Sequence, residues 1–449
     1  MTPSEFRALG HRVIDWIADY KERIASFPVL SRSRPGDVLR SLPAAPPEKG
    51  VGAGGGWDEI LHDLDRLIMP GITHWQAPGF FAYFPSNGSF PAILGELLSA
   101  GLGVQGMLWA TSPSATELET RMLEWLAQLI GLPTAFEGCI QGTASESTLV
   151  AMLAARHRAG PGALVAYASE QAHSSVLKAA RIAGVELRNV PVRRDLSMDP
   201  HALDAMIEED RARGKLPFFV CATVGTTSST AIDPLPPLPP DLWLHVDAAY
   251  AGAACVCPEF RWMLEGVERA DSFCFNPHKW LLTSFDCSAF WTRDRASLTG
   301  ALSVTPEYLR TAHAGQVIDY RDWQIPLGRR FRALKLWFVI RHYGAEGLRG
   351  HIRRHVELAK RFEGWVHEDE RFELCAERTL ALVCFRKRGS DDENRALLDR
   401  VNASGRAYLS HTTLPGKGFT LRLAIGAPST EERHVREAWD LLRGTPPFP

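Results

Sequence analysis

The chain has 449 residues, a formal net charge of −2, and 45% apolar against 23% charged residues, the make-up of a soluble globular protein with room for about three domains. A net charge so near zero excludes the broad basic field of a nucleic-acid-binding protein, and no apolar run approaches the roughly 20 residues of a membrane-spanning helix. Eight scattered cysteines, of which only Cys255 and Cys257 are close together, argue for reduced core thiols in a cytoplasmic protein and against a zinc site or other metal centre.

Residues 1–20 set Phe6, Val13, Trp16, Ile17 and Tyr20 among Glu5, Arg7, Arg12, Asp15 and Asp19, which predicts an amphipathic helix and not a signal peptide. Residues 41–56, rich in Pro, Ala and Gly, read as a loop. Gly101-Leu102-Gly103-Val104-Gln105-Gly106 has the spacing of a dinucleotide fingerprint, but residues 92–98 before it are helical in pattern. The fingerprint needs a strand there, so this is a close-packed turn. Apolar positions recur at helical spacing over 116–130. Short apolar runs then alternate with helical ones: strands over 163–168, 218–224, 242–246 and 288–291, helices over 174–182 and 200–211, and a proline-rich connection over 234–240. That alternation predicts an α/β sheet. Beyond residue 334 come helices over 332–343 and 347–367, strands over 380–385 and 421–425, and a terminal helix over 430–442, the pattern of a small α+β domain.

Three polar groups fall at or just past apolar strands: Thr226-Thr227 after 218–224, Asp247 after 242–246, and Lys279 after Phe273-Cys274-Phe275. In open α/β sheets ligands bind beyond the carboxyl ends of strands. Lys279 sits in Asn276-Pro277-His278-Lys279-Trp280, where desolvation would lower its pKa and free the amine for imine chemistry. Lysine plus aspartate is the pair that pyridoxal 5'-phosphate requires, one for the Schiff base and one to keep the pyridine nitrogen protonated. Without Lys279, Asp247 would read as a strand-end cap. Gly142-Thr143-Ala144-Ser145-Glu146-Ser147-Thr148 leads into a helical run, and a small-residue turn at a helix N-terminus offers N–H groups to a phosphate.

On these motifs, on Gln171-Ala172-His173-Ser174-Ser175 and on His245-Val246-Asp247-Ala248-Ala249-Tyr250-Ala251-Gly252, the chain resembles the group II pyridoxal-phosphate decarboxylases, most of all the aromatic-L-amino-acid type. The resemblance runs from the N-terminal helix to about Ala438. It implies an aspartate aminotransferase-like fold of type I with a mostly parallel central sheet: an N-terminal helical, dimer-wrapping segment over 1–88, a cofactor domain over 89–334 and a small α+β domain over 335–449. It implies a homodimer with the active site at the interface. Lys279 would carry the cofactor, Asp247 would pair with its ring nitrogen, and His173 would stack on the ring and face the substrate carboxylate. Thr143, Ala144, Ser145, Asn276 and His278 resemble the phosphate ligands, and Thr227 and Ala249 would line the ring. Trp75, Tyr83, Phe84, Pro85 and Ser86 match the stretch that holds the aromatic side chain of an amino-acid substrate. Tyr308 matches the mobile-loop tyrosine that returns a proton to the former α-carbon, which favours decarboxylation over the oxygen chemistry of aldehyde synthases with Phe there. Gln105 and Met107 stand where animal aromatic decarboxylases have Ile and Phe reaching into the partner's pocket, which leaves ring preference open. The rivals are an aldehyde synthase, a glutamate- or histidine-type decarboxylase, and a catalytically silent homologue.

Overall fold

Apolar runs buried on both faces build a seven-stranded sheet in the computed structural model, which describes residues 1–50, 56–86, 88–304, 306, 309, 312–313 and 315–444. In chain order the strands are β1 (Phe80–Phe81), β2 (Glu137–Gln141), β3 (Leu164–Ser169), β4 (Glu186–Val190), β5 (Leu216–Thr223), β6 (Trp243–Asp247), β7 (Ser272–Phe275), β8 (Ser288–Thr292), β9 (Phe372–Leu374), β10 (Leu382–Lys387), β11 (Tyr408–Leu414) and β12 (Gly418–Ala424). The large sheet has the order β2-β8-β7-β6-β5-β3-β4, and β8 alone runs against its neighbours. The carboxyl ends of β2, β3, β5, β6 and β7 therefore open on one side, as a ligand site in an α/β sheet requires.

Every residue of β3, β6, β7 and β8 is buried, which is why their sequences read as unbroken apolar runs. The edge strands β2 and β4 escape that reading. They carry Glu137, Glu186, Arg188 and Asn189 on partly exposed backbone, the polar dressing that sheet edges need.

A second sheet of order β1-β11-β12-β10-β9 gathers the C-terminal strands. Its outermost strand comes from far away in the chain: β1 pairs in parallel with β11, Phe80 opposite Tyr408, so the N-terminal segment contributes a strand as well as helices. The N-terminal helix Pro3–Arg23 starts at a capping box between Thr2 and Glu5 and buries no residue within the chain. Helix Phe90–Leu102 takes in the first two residues of the Gly101–Gly106 stretch and ends at Gly103, and a helix in place of a strand there agrees with the rejection of a dinucleotide loop. The two helical runs expected after 332 form one element, Arg332–Glu368, interrupted at Gly344, whose φ of +61° and extended ψ suit only glycine. Among the described residues no helix is long and apolar enough to cross a membrane.

Candidate active site

A cavity of about 230 Å³ opens at the carboxyl ends of the central strands. Thr143, Ala144, Ser145, His173, Thr227, Asp247, Ala249, Asn276, His278 and Lys279 all line it, together with Phe84, Ser175, Thr223, Gly225, Tyr250 and Phe285. Thr223 and Asp247 are the last residues of β5 and β6 and lie side by side in register. Gly225 is required by its surroundings, since at φ +87° a Cβ would lie 2.6 Å from that of Ala251.

Lys279 is presented by a single helical turn, Pro277–Trp280, directly after β7. Desolvation lowers its pKa, and the attraction of Asp247 opposes that shift without cancelling it. No carboxylate among the described residues forms an ion pair with it. Such an amine is poised to act as a nucleophile. Asp247 is 3% exposed and accepts the Ala249 N–H through Oδ1 at 3.0 Å.

His173 caps helix Ser174–Ala183. Its Nδ1 accepts the Ser175 N–H at 3.2 Å and lies 2.8 Å from the Ser175 hydroxyl. With Nδ1 used as an acceptor, the proton of the neutral ring belongs on Nε2. Burial lowers the His173 pKa, Lys279 and Lys178 add to that, and Asp247 opposes it. His278 is held down to about 4 by burial and by the neighbouring Lys279, and its Nδ1 lies 2.7 Å from the Cys287 carbonyl oxygen.

Thr143 is the N-cap of helix Ala144–Ala159 but makes no side-chain cap. The first-turn N–H groups of Ala144 and Ser145 precede the first intrahelical partners and face the cavity, where the helix dipole favours an anion. An amine beside a carboxylate and free N–H groups at a helix start fit pyridoxal 5'-phosphate, and Asn276 Oδ1 is a buried acceptor left without a donor among the described residues.

One wall is aromatic. Phe84 stacks on Tyr250 at 3.8 Å, and the same Phe84 ring lies 5.5 Å from Lys279 Nζ and 5.3 Å from the Arg422 guanidinium carbon. Arg422, 3% exposed, donates to the Thr227 and Ser228 carbonyls and to the Ser410 hydroxyl. Sequence reasoning missed Arg422, Tyr250 and Phe285. The signals were an arginine inside the apolar strand β12 and a tyrosine two residues after Ala248 in the Asp247 motif.

Of the seven residues expected at the substrate side chain, Phe84 reaches this cavity. Trp75 and Tyr83 stack on each other at 5.6 Å outside it, and Tyr83 adopts φ +54°, a strained conformation for a bulky residue. The Tyr83 hydroxyl meets that of Tyr408 at 3.2 Å. Pro85 packs against Gly426, and the Ser86 carbonyl accepts from Gln76. Gln105 accepts the Arg329 N–H, and the Met107 carbonyl accepts the Arg321 N–H at 3.0 Å, so both belong to another face of the same chain. Tyr308 lies outside the described residues.

The model of the pyridoxal-dependent decarboxylase conserved domain matches residues 35–388. Phenylacetaldehyde synthase of Arabidopsis thaliana is 49% identical, covering 99% of this chain and 96% of its own. Aromatic-L-amino-acid decarboxylase of Sus scrofa is likewise 49% identical, over 99% and 96% of the two chains. The crystal structure of Oryza sativa TDC with PLP and tryptamine superposes with a TM-score of 0.94 at 42% identity, covering 99% of this chain and 98% of that one. With its lysine, aspartate and helix N-terminus converging on one cavity, the chain belongs to the pyridoxal-dependent decarboxylases and is a carboxy-lyase that uses pyridoxal 5'-phosphate.

Proposed function

We propose that the protein decarboxylates an aromatic L-amino acid (tryptophan, 5-hydroxytryptophan, phenylalanine, tyrosine or dopa) to the arylalkylamine and carbon dioxide. The observation that carries this reading is the convergence of Lys279, Asp247 and His173 on a cavity walled by Phe84. When bound, pyridoxal 5'-phosphate supplies an electron sink for the bonding pair released as carbon dioxide leaves. Lys279 provides the amine that binds it covalently. Asp247 would keep a proton on its ring nitrogen, and the first turn of helix Ala144–Ala159 with Asn276 and His278 would hold its phosphate. His173, Thr227 and Ala249, which line the cavity, would cover and bound the ring, with His173 towards the substrate carboxylate. Arg422 adds a buried positive charge behind Phe84, which favours entry of a substrate carboxylate. The apolar wall then favours a step that removes its charge. Tyr308 returns a proton to the α-carbon.

The working form is a homodimer. Phe90, Leu94, Leu97, Leu98 and Leu102 form an exposed apolar face on one helix, and helix Pro3–Arg23 fully buries no residue within its own chain and touches a core cluster there only near its end, through Tyr20, as expected of a segment that wraps a partner. In this reading 1–88 is the wrapping segment, 89–334 the cofactor domain and 335–449 the small domain. Gln105 and Met107 then serve the neighbouring subunit's pocket. The protein acts in the cytoplasm.

The 49% identity to an Arabidopsis phenylacetaldehyde synthase favours a second reading, aldehyde production with peroxide. Turnover of the five amino acids, with carbon dioxide, amine, aldehyde and hydrogen peroxide all quantified, separates the two. Amine equal to carbon dioxide supports decarboxylation, and stoichiometric peroxide sinks it. Borohydride treatment of the holoenzyme should leave a pyridoxyl group on Lys279. Its absence there would remove any enzymatic reading.

A further inference from the structure

The turn that carries Lys279 is too short to hold itself. Pro277–Trp280 is four residues long, with the Leu281 N–H on the Pro277 carbonyl and the Lys279 N–H on the Asn276 carbonyl, each at 2.9 Å, and an isolated helical turn is unstable. Backbone bonds from the Asn276 N–H to Ala249 and from the His278 N–H to Cys287 anchor its start, so side chains must fix its far end, at Lys279 and Trp280. Trp280, next to Lys279, is fully buried behind the cavity. One face of its ring stacks on Tyr250 at 4.7 Å, and Tyr250 stacks in turn on Phe84 of the cavity wall. Its Nε1–H donates to Nδ1 of His355 at 2.9 Å, with the two rings only 9° from coplanar. An indole N–H can only donate, so Nδ1 must hold the lone pair and the His355 proton must sit on Nε2. His355 is fully buried and lies on helix Arg332–Glu368, the element that leads into the C-terminal sheet.

We propose that His355 is a positioning residue for Lys279: its Nδ1 fixes the Trp280 ring, and through that ring the single turn that aims the amine into the cavity. This rests on Lys279 being the cofactor lysine. The four rings Phe84, Tyr250, Trp280 and His355 thus tie the reactive amine to the long C-terminal helix. The Trp280–His355 bond is the directional contact in that column, because stacking alone leaves a ring free to slide.

The test uses the full-length protein stripped of cofactor and mixed with pyridoxal 5'-phosphate, with covalent loading of Lys279 followed over time by borohydride trapping, alongside kcat and KM. His355→Leu and Trp280→Phe should each slow loading by about fivefold, the scale of one lost hydrogen bond, and the double variant should be no slower than the slower single one. His355→Asn, whose side-chain oxygen can replace Nδ1 as acceptor, should stay within about twofold of wild type. kcat should fall more than KM rises. Loading at the wild-type rate in His355→Leu, or equal defects in His355→Asn and His355→Leu, would overturn the proposal. Should His355→Leu not fold, Trp280→Phe decides: wild-type loading refutes the role, and a fivefold loss supports it. A wild type that traps nothing on Lys279 would instead defeat the functional reading on which the proposal stands.

Discussion

Glu119→Gln should be among the most damaging conservative changes in the large domain. Glu119 and Arg329 form a bidentate pair, at 2.7 and 3.1 Å, whose side chains are 4% and 2% exposed. Glu119 Oε1 also accepts the Ile140 N–H at 2.7 Å, and Arg329 donates to the Ile140 carbonyl at 2.7 Å and to Gln324 at 2.9 Å. The pair thus grips both backbone groups of one residue in β2, the strand that runs into Thr143. The Arg329 backbone holds the segment 105–107 as well, its carbonyl accepting the Gly106 N–H at 3.0 Å. An amide at 119 keeps the shape, removes the charge and turns an N–H donor towards a guanidinium that has no acceptor to spare. Burial opposes the Arg329 charge and Glu119 sustains it, so removing Glu119 leaves a desolvated cation that cannot neutralise itself. Breaking one partner of a buried pair costs about 3–5 kcal/mol, against a total stability of about 5–15 kcal/mol. Urea denaturation at one fixed protein concentration, with and without pyridoxal 5'-phosphate, measures the loss. Arg329→Met in the Glu119→Gln background should recover part of it by removing the orphaned charge. A Glu119→Gln protein within about 1 kcal/mol of wild type, or a double variant weaker than the single, would refute the assignment of this pair as a buried clamp.

Buried neutral histidines make the fold acid-sensitive. His245 and His278 are held near 4 and His351 near 3, mainly by burial, whereas the unfolded side chain titrates near 6.5. The unfolded chain therefore takes up protons first, and stability falls as pH drops from about 6.5 to about 4, at about 1.4 kcal/mol per pH unit for each such histidine. Uptake of less than one proton on unfolding at about pH 5.5 would contradict this. Tyr308→Phe should move the product from amine towards aldehyde and peroxide, and an unchanged amine yield would discount Tyr308 as the proton donor. Asp233, whose pKa burial raises to about 7, accepts the Thr223 and Met198 N–H groups at 2.8 and 2.7 Å. Asp233→Asn turns an N–H donor against one of them, and should cost about 1–3 kcal/mol and loosen the Thr227 loop. Unchanged cofactor affinity and denaturation midpoint would remove that role.

Much of the site was legible because its parts are local. Asp247 ends a buried strand and Lys279 lies just past one, buried strands announce themselves as apolar runs, and Thr143 opens a run of helical spacing. The edge strands β2 and β4 were not legible, because facing water on one side mixes their composition. Strand β11 carries exposed His411 and Thr413 about a half-buried Thr412, a weak signal over so short a length.

The order of residues determined the chemistry: a lysine and an aspartate at the ends of hydrophobic runs, and a small-residue turn at a helix start, all patterns that neighbours in sequence create. Contacts between residues far apart in the chain were decided by the tertiary structure alone. Arg422 meets Phe84, β1 pairs with β11, and His355 meets Trp280 across separations that no local pattern encodes. The strands place their ends in common only once their register and order in the sheet are set, and those depend on which faces bury together.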